Sequence, residues 1–96
     1  MIVYLSGPIT GNSNYKATFA RVAEKMRAAG FDVINPAELD RVIQADEFPY
    51  EDYVSATLRL LAAADIVAML PGWQESPGAR REAERARELK KQIMEV

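Results

Sequence analysis

Residues 65–82 read Asp-Ile-Val-Ala-Met-Leu-Pro-Gly-Trp-Gln-Glu-Ser-Pro-Gly-Ala-Arg-Arg-Glu, and this stretch decides the fold class of the chain. Its apolar, partly β-branched beginning over residues 65–70 predicts a buried strand that stops at Pro71-Gly72. Ser76 followed by Pro77 is typical of a helix start, with serine as the N-cap and proline at the first helical position. The stretch therefore predicts a strand, a loop and a helix in immediate succession.

The same order occurs at the N-terminal end of the chain. Residues 2–6 predict a short buried strand that is stopped by Gly7-Pro8. A helix is expected to begin near Asn14, with Asn12 or Ser13 as its N-cap, and to end before Gly30. Apolar residues at helical spacing predict the inward face of this helix: Phe19, Val22, Ala23, Met26 and Ala29.

The middle and the C-terminal end of the chain continue the alternation. Residues 31–34 predict a second strand closed by Asn35-Pro36, and residues 37–48 predict a mostly irregular loop in which a helical turn fits residues 39–43. Pro49 suits the first turn of a helix over residues 50–63, and residues 92–96 suit a last edge strand. Alternating strands and helices predict an α/β fold with a small, mostly parallel sheet and helices on its faces.

Composition limits the classes of function that the chain can have. With 96 residues we expect one domain, residues 1–96, and with a net charge of −2 we expect no binding to nucleic acid polymers. No apolar run reaches the roughly 20 residues of a membrane span, and the N-terminus has no basic leader, so a cytoplasmic protein without a membrane partner is expected. The sequence contains no cysteine and no histidine, from which we expect no disulfide and no metal site.

Glu82 is the first candidate for chemistry. On a helical wheel it shares a face with Ala79, Ala83, Ala86 and Leu89, so its carboxylate is expected to point inward. An inward carboxylate is costly unless it is paired, hydrogen-bonded or lining a cleft. A plainer explanation is that an acid near a helix N-terminus interacts favourably with the helix dipole. Both explanations stay open at this level.

Three loops are expected to meet beyond the carboxyl ends of the strands, where ligands bind in open parallel sheets. The first loop, residues 7–11, can bring its backbone amides to a ligand or can be an ordinary tight turn. The second loop begins at Asn35. The third loop contains Trp73, which suits either stacking on a base or a subunit contact. This loop ends at Ser76, and the helix start that Ser76 caps has free backbone amides that can bind a phosphate.

Tyr4 lies in the first predicted strand and has two explanations. It can be a core aromatic whose hydroxyl reaches the edge of the core. Alternatively, its hydroxyl lies against the Glu82 carboxylate and keeps that carboxylate ionised and oriented.

Four motifs taken together resemble the nucleoside 2-deoxyribosyltransferase superfamily. In chain order they are Tyr-Leu-Ser-Gly-Pro-Ile-Thr-Gly at residues 4–11, Asn35-Pro36, Ala-Asp-Ile-Val at residues 64–67, and Ser76-x-Gly78-x-x-x-Glu82. The resemblance covers nearly the whole chain. It is greatest to the small members, which include nucleoside 5′-monophosphate N-glycosidases and uncharacterised, often phage-encoded, proteins. It implies a flavodoxin-like (Rossmann-like) three-layer sandwich.

The resemblance also implies a reaction. Glu82 would be the nucleophile that attacks the anomeric carbon of a (deoxy)ribosyl group, and Tyr4 would orient it. The partner implied is a nucleoside or nucleotide, with no cofactor, and the family's usual assembly implies a homodimer or a higher homo-oligomer. The substrate-binding residues implied are Gly7, Pro8, Ile9, Thr10, Gly11, Asn35, Trp73, Ser76 and Gly78.

One position departs from the family pattern. Members commonly carry an aspartate that helps to protonate the departing base, and Thr57 stands in its place here. A threonine hydroxyl is not a useful acid near neutral pH. Asp65 is expected to start a strand at the end remote from the cleft, while Asp52 and Glu75 are candidate replacements at non-matching positions. Two alternatives to an N-glycosidase (a hydrolase) or a transferase therefore stay open: a non-catalytic nucleotide-binding module, and a flavin- or phosphate-binding flavodoxin-like protein.

Overall fold

Four parallel strands form the sheet in the described part of the chain, which in this computed structural model comprises residues 1–9, 13–41 and 50–96. β1 spans Ile2–Ser6, β2 Asp32–Ile34, β3 Ile66–Met69 and β4 Gln92–Glu95. Their order across the sheet is β2-β1-β3-β4, and β1 pairs in parallel with both β2 and β3. This is the winding of a flavodoxin-like sheet, so the predicted fold class is confirmed.

Helices cover both faces of this sheet. α1 spans Tyr15–Ala28, α2 spans Tyr50–Ala62 and α3 spans Pro77–Glu88, with short 3-10 helices at Pro36–Arg41 and Trp73–Glu75. α1 packs on one face, while α2 and α3 pack on the other, giving three layers. Among the described helices, none has the length and apolar character needed to cross a membrane.

The alternation of side chains along β1 decides which residues meet which helix. Val3 and Leu5 lie in the core cluster beneath α1. Tyr4 lies in the opposite cluster beneath α2 and α3. Ser6 is two residues further along the strand and therefore lies on the same face of the sheet as Tyr4. Besides Tyr4, the buried members of that second cluster are Leu61, Ala64, Val67, Met69, Ala79, Ala83 and Ala86.

The predicted elements are confirmed, with small differences at their ends. Asn14 is the N-cap of α1 and makes no side-chain capping bond, in place of Asn12 or Ser13. Ala29 was expected to face inward and is exposed, because the helix ends at Ala28 and Ala29 is its C-cap. Gly30 follows with φ +96°, as expected for a residue that ends a helix. The helical turn expected over residues 39–43 begins earlier, as the 3-10 helix Pro36–Arg41. The rest of the predicted turn and loop, residues 42–48, and Pro49 lie outside the described residues.

Candidate active site

The carboxyl ends of β1 and β3 lie side by side at the centre of the sheet. Tyr4 is in register with Val67 and Ser6 with Met69, so the loops that follow both strands leave the same edge together. The backbone N–H of Leu70 donates to the Ser6 carbonyl over 2.7 Å. β2 lies on one side of β1 and β3 lies on the other, so the order of the strands reverses direction at β1. Ligands bind at this topological switch point in open parallel sheets.

α3 carries Glu82 to this switch point. The Ser76 hydroxyl caps the helix by accepting a hydrogen bond from the Ala79 N–H over 3.2 Å, and Pro77 occupies the first helical position. Alanines at positions 79, 83 and 86 are buried against the sheet, so no large side chain holds the helix away from the sheet. Glu82 lies on this inward side, little more than one turn from the helix start.

Two hydroxyls from β1 hold the Glu82 carboxylate. The Tyr4 phenol donates a hydrogen bond to Oε2, which confirms the predicted contact between these two side chains. The Ser6 hydroxyl donates to Oε1 over 2.7 Å. Because each carboxylate oxygen accepts one of these bonds and has a second lone pair, Glu82 is oriented while each oxygen can still accept a further contact.

Burial and hydrogen bonding act in opposite directions on the Glu82 carboxyl. Burial raises its pKa above the usual value, whereas the hydrogen bonds from Tyr4 and Ser6 lower the pKa and so offset part of this rise. Burial also raises the pKa of Tyr4 far above its usual value, and the adjacent charge of Glu82 raises it further. Tyr4 therefore keeps its proton and stays a hydrogen-bond donor to the carboxylate.

α2 contributes a second pair of hydroxyl side chains to the site. Thr57 is 6% exposed, and its hydroxyl donates to the Val54 carbonyl over 3.0 Å. Thr57 also lowers the pKa of the Tyr4 phenol, while an electrostatic interaction with Tyr53 raises that pKa. We call Glu82, Tyr4, Ser6, Thr57 and Tyr53 the Glu82 cluster.

The described part of the predicted first loop lies beside the cluster but is also shaped by packing. A Cβ atom on Gly7 would lie 2.8 Å from the Leu70 Cβ, so the convergence of the strand ends is itself sufficient reason for a glycine here. Pro8 is half-buried, and Ile9 packs against the core cluster beneath α1. Thr10 and Gly11 lie outside the described residues.

The second and third loops hold the other predicted binding residues. The Asn35 side chain is buried, and its Oδ1 accepts the Ala37 N–H over 3.0 Å, which orders the start of the 3-10 helix. Trp73 packs against the cluster that contains Tyr4, and its indole N–H donates to Glu95 over 2.9 Å. Ser76 and Gly78 lie at the start of α3.

Asp65, Asp52 and Glu75 are the other acids that the sequence analysis singles out. The Asp65 carboxylate accepts the Ile2 N–H over 2.8 Å at the amino ends of the strands, remote from the cluster as predicted. Asp52 and Glu75 are exposed.

Ser6 is a site residue that sequence reasoning missed. It ends the predicted strand, and the glycines that follow it pointed to the loop as the binding element instead. Side chains alternate between the two faces of a strand, so Ser6 lies on the same face of β1 as Tyr4 and within reach of the same helix. This alternation could have identified Ser6 as a second partner of Glu82.

Comparisons with known proteins give a match for the sequence and a match for the fold. Residues 1–95 match the family model described as "Domain of unknown function (DUF4406)". The structure is similar to a solved structure described as "2-desoxiribosyltransferase from Leishmania mexicana", with a TM-score of 0.75 and 16% sequence identity. The superposition covers 99% of this chain and 63% of that protein, so this chain spans less than two thirds of its length. No curated protein is detectably similar in sequence.

Proposed function

This chain belongs to the family described as DUF4406, a domain of unknown function, and we propose that it cleaves or transfers at the N-glycosidic bond of a nucleoside or nucleoside 5′-monophosphate. The observation that carries the proposal is the Glu82 carboxylate, held by the hydroxyls of Tyr4 and Ser6 at the switch point of the sheet. Similarity of fold to a protein described as a 2-desoxiribosyltransferase supports glycosyl chemistry at this place.

In the proposed reaction Glu82 is the nucleophile. One carboxylate oxygen bonds to the anomeric carbon while the bond from that carbon to the base breaks, and the electron pair of that bond stays on the base nitrogen. The resulting glycosyl ester is resolved by water, giving hydrolysis, or by the nitrogen of a second base, giving transfer. Tyr4 is a positioning residue in this scheme, since its phenol fixes the carboxylate without touching the sugar.

The substrate is bound by the loops around the cluster in this proposal. Backbone amides of residues 7–11 and the start of α3 at Ser76 and Gly78 bind the sugar or its 5′-phosphate, because a helix start offers free N–H groups to an anion. Asn35 and Trp73 border the base. A homodimer or higher homo-oligomer stays a prediction.

The test is release of free base. The protein is incubated with a panel of nucleoside and deoxynucleoside 5′-monophosphates, and the base is separated by chromatography. We expect release by the wild type and a loss of at least about 1,000-fold in Glu82→Gln, because an amide cannot form the glycosyl ester. Glu84→Gln, at an exposed position of the same helix, is the matched control and is expected to keep full activity. Equal release by both variants would exclude Glu82 as the nucleophile.

A non-catalytic nucleotide-binding module is the second candidate, and Thr57 favours it. Its hydroxyl donates to the Val54 carbonyl and cannot protonate a departing base at neutral pH. This candidate predicts that nucleotides bind without base release, and that Thr57→Asp leaves both the binding and the lack of release unchanged. Calorimetric titration beside the chromatographic assay separates the two candidates.

A further inference from the structure

One carboxylate surrounded by hydroxyls makes up the Glu82 cluster. The hydroxyls of Tyr4 and Ser6 hydrogen-bond to Glu82, and Thr57 and Tyr53 of α2 both affect the pKa of the Tyr4 phenol. Hydroxyl side chains are very weak acids at neutral pH, and the sequence contains no histidine that could serve as the acid. The described side chains of the cluster therefore offer a negative charge and hydrogen bonds, but they are poorly suited to protonating a leaving group.

The protons of three of these hydroxyls, those of Tyr4, Ser6 and Thr57, are also engaged. Tyr4 donates its proton to Glu82, and its pKa is raised far above the usual value. Ser6 donates to the other carboxylate oxygen, and Thr57 donates to the Val54 carbonyl. Passing any of these protons to a substrate would break a hydrogen bond that orders the site.

Three further described carboxylates are engaged elsewhere in the fold, and those of Asp52 and Glu75 are exposed. Asp65 accepts from the Ile2 N–H at the amino edge of the sheet, and Glu95 accepts from the Trp73 indole. Glu51 pairs with Arg81 over 3.9 Å between the first turns of α2 and α3. The chemistry of the site is thus that of a nucleophile without a neighbouring acid among the residues described.

We propose that this site acts on N-glycosides whose base carries a positive charge, such as pyridinium or N7-alkylated purine nucleosides and their 5′-monophosphates. The proposal rests on the glycosyl chemistry proposed above and specifies its substrate class. A neutral base leaves with an unfavourable negative charge unless an acid protonates it. A cationic base leaves as a neutral molecule and needs no proton.

The steps balance without an acid. A Glu82 oxygen forms a bond to the anomeric carbon as the carbon–nitrogen bond breaks, and the electron pair moves onto the ring nitrogen and cancels its positive charge. Water then attacks the glycosyl ester, its oxygen bonds to the sugar, its proton passes to solvent, and Glu82 is released as a carboxylate. A cationic base near Glu82 also favours the ionised form of the carboxyl that the first step requires.

Pairs of substrates that differ in charge but little in shape test the proposal. Nicotinamide mononucleotide is compared with its reduced, uncharged dihydro form, and 7-methylguanosine 5′-monophosphate is compared with guanosine 5′-monophosphate. We expect the cationic member of each pair to give a kcat/KM at least about 100-fold higher, within the rate range of acid assistance. Release of the base is followed by chromatography, with Glu82→Gln as the inactive control.

Because cationic glycosides are also more reactive in solution, a Thr57 variant isolates the contribution of the site. Thr57→Asp puts a carboxyl group beside the Tyr4 phenol, in a buried position. We expect it to raise kcat/KM for the neutral substrates, relative to kcat/KM for nicotinamide mononucleotide, by roughly 10- to 100-fold. Ser55→Asp puts a carboxyl group at an exposed position of the same helix and is the matched control, expected to leave this ratio unchanged.

A pH profile of the wild type keeps the proposal testable if Thr57→Asp does not fold. Nicotinamide riboside keeps its positive charge at every pH and lacks a phosphate that would titrate. Tyr4 from β1 is the titratable group that hydrogen-bonds to Glu82, and Tyr53 from α2 interacts electrostatically with Tyr4. The Glu51–Arg81 pair joins α2 to α3. We expect kcat/KM to rise through the pKa of Glu82 and then stay level to pH 9, because no acid has to remain protonated.

The outcomes separate this proposal from the one on which it rests. A falling limb between pH 6 and 9, or neutral substrates cleaved as fast as their cationic partners, overturns the cationic substrate class and leaves the glycosyl reaction intact. Glu82-dependent release that occurs only with neutral nucleotides also overturns the cationic class alone. If no substrate of either kind is cleaved, or if cleavage persists in Glu82→Gln, both proposals fail together.

Discussion

Glu82 is a partly buried acid whose surroundings favour two different protonation states. Burial favours the protonated form, and the hydroxyls of Tyr4 and Ser6 favour the carboxylate. A carboxylate with fewer water contacts is more reactive as a nucleophile, provided that it is ionised and oriented. The two hydrogen bonds give orientation directly, and they limit how far the pKa rises.

Ser6→Ala tests the contribution of the second donor at this residue. A hydrogen bond to a charged group is worth about 1.5–3 kcal/mol, so we expect kcat/KM for base release to fall roughly 10- to 100-fold. Since the Ser6 hydrogen bond lowers the pKa of Glu82, the low-pH limb of the kcat/KM profile is expected to move to higher pH.

The control for Ser6→Ala is Ser55→Ala, at an exposed position on α2, which should leave both the rate and the profile unchanged. A fall in rate without movement of the pH limb would show that Ser6 acts through packing and not through the carboxylate.

α3 is the element on which the site depends, because its first turns place Glu82 over β1. The helix begins with an N-cap serine followed by a proline, and it packs against the sheet through alanines. The position of the carboxylate is therefore linked to the integrity of this cap.

Ser76→Ala is expected to weaken this element and the site together. Loss of an N-cap side chain costs about 1 kcal/mol, within a range of about 0.5–2 kcal/mol, which urea unfolding measures directly. Ser13→Ala, at an exposed position before the start of α1, is expected to change stability by less than about 0.5 kcal/mol. Equal stability of the two variants would contradict the capping role seen in the hydrogen bond to Ala79.

At the scale of the whole molecule, the Glu82 carboxyl is expected to lower stability at neutral pH. The pKa of Glu82 is raised in the folded protein from its usual 4.5, so the folded state binds this proton more tightly than the unfolded chain. The stability that this group contributes is fully present below its unfolded pKa. It is lost as the pH rises through the folded pKa.

Glu82→Gln removes this loss, because an amide stays neutral at every pH. We expect the variant to have a higher Tm than the wild type at pH 7–8, and the difference to shrink towards pH 4. For a chain of this size, each kcal/mol of stability shifts Tm by roughly 4–8 °C. Thermal unfolding across this pH range can therefore detect the difference between the variant and the wild type. Glu84→Gln is the exposed control, and a Tm difference that is the same at every pH would contradict the prediction.

Local patterns predicted most of the architecture and part of the site. Alternation of apolar runs and helical periodicity gave the strands and helices to within a few residues, and the Ser76-Pro77 pair located the start of α3. The inward direction of Glu82 followed from its spacing to Ala79, Ala83 and Ala86. These features depend on residues that are neighbours in sequence, so the sequence is sufficient to predict them.

The identity of the partners was decided by the tertiary structure. The hydrogen bonds from Tyr4 and Ser6 to Glu82 join residues 78 and 76 positions apart. They exist because β1 and β3 are adjacent in register and α3 crosses the face of β1, and neither strand order nor register is encoded in any single local pattern. For the same reason the sequence alone showed neither the burial of Thr57 beside the Tyr4 phenol nor the contact that leaves Gly7 no room for a side chain.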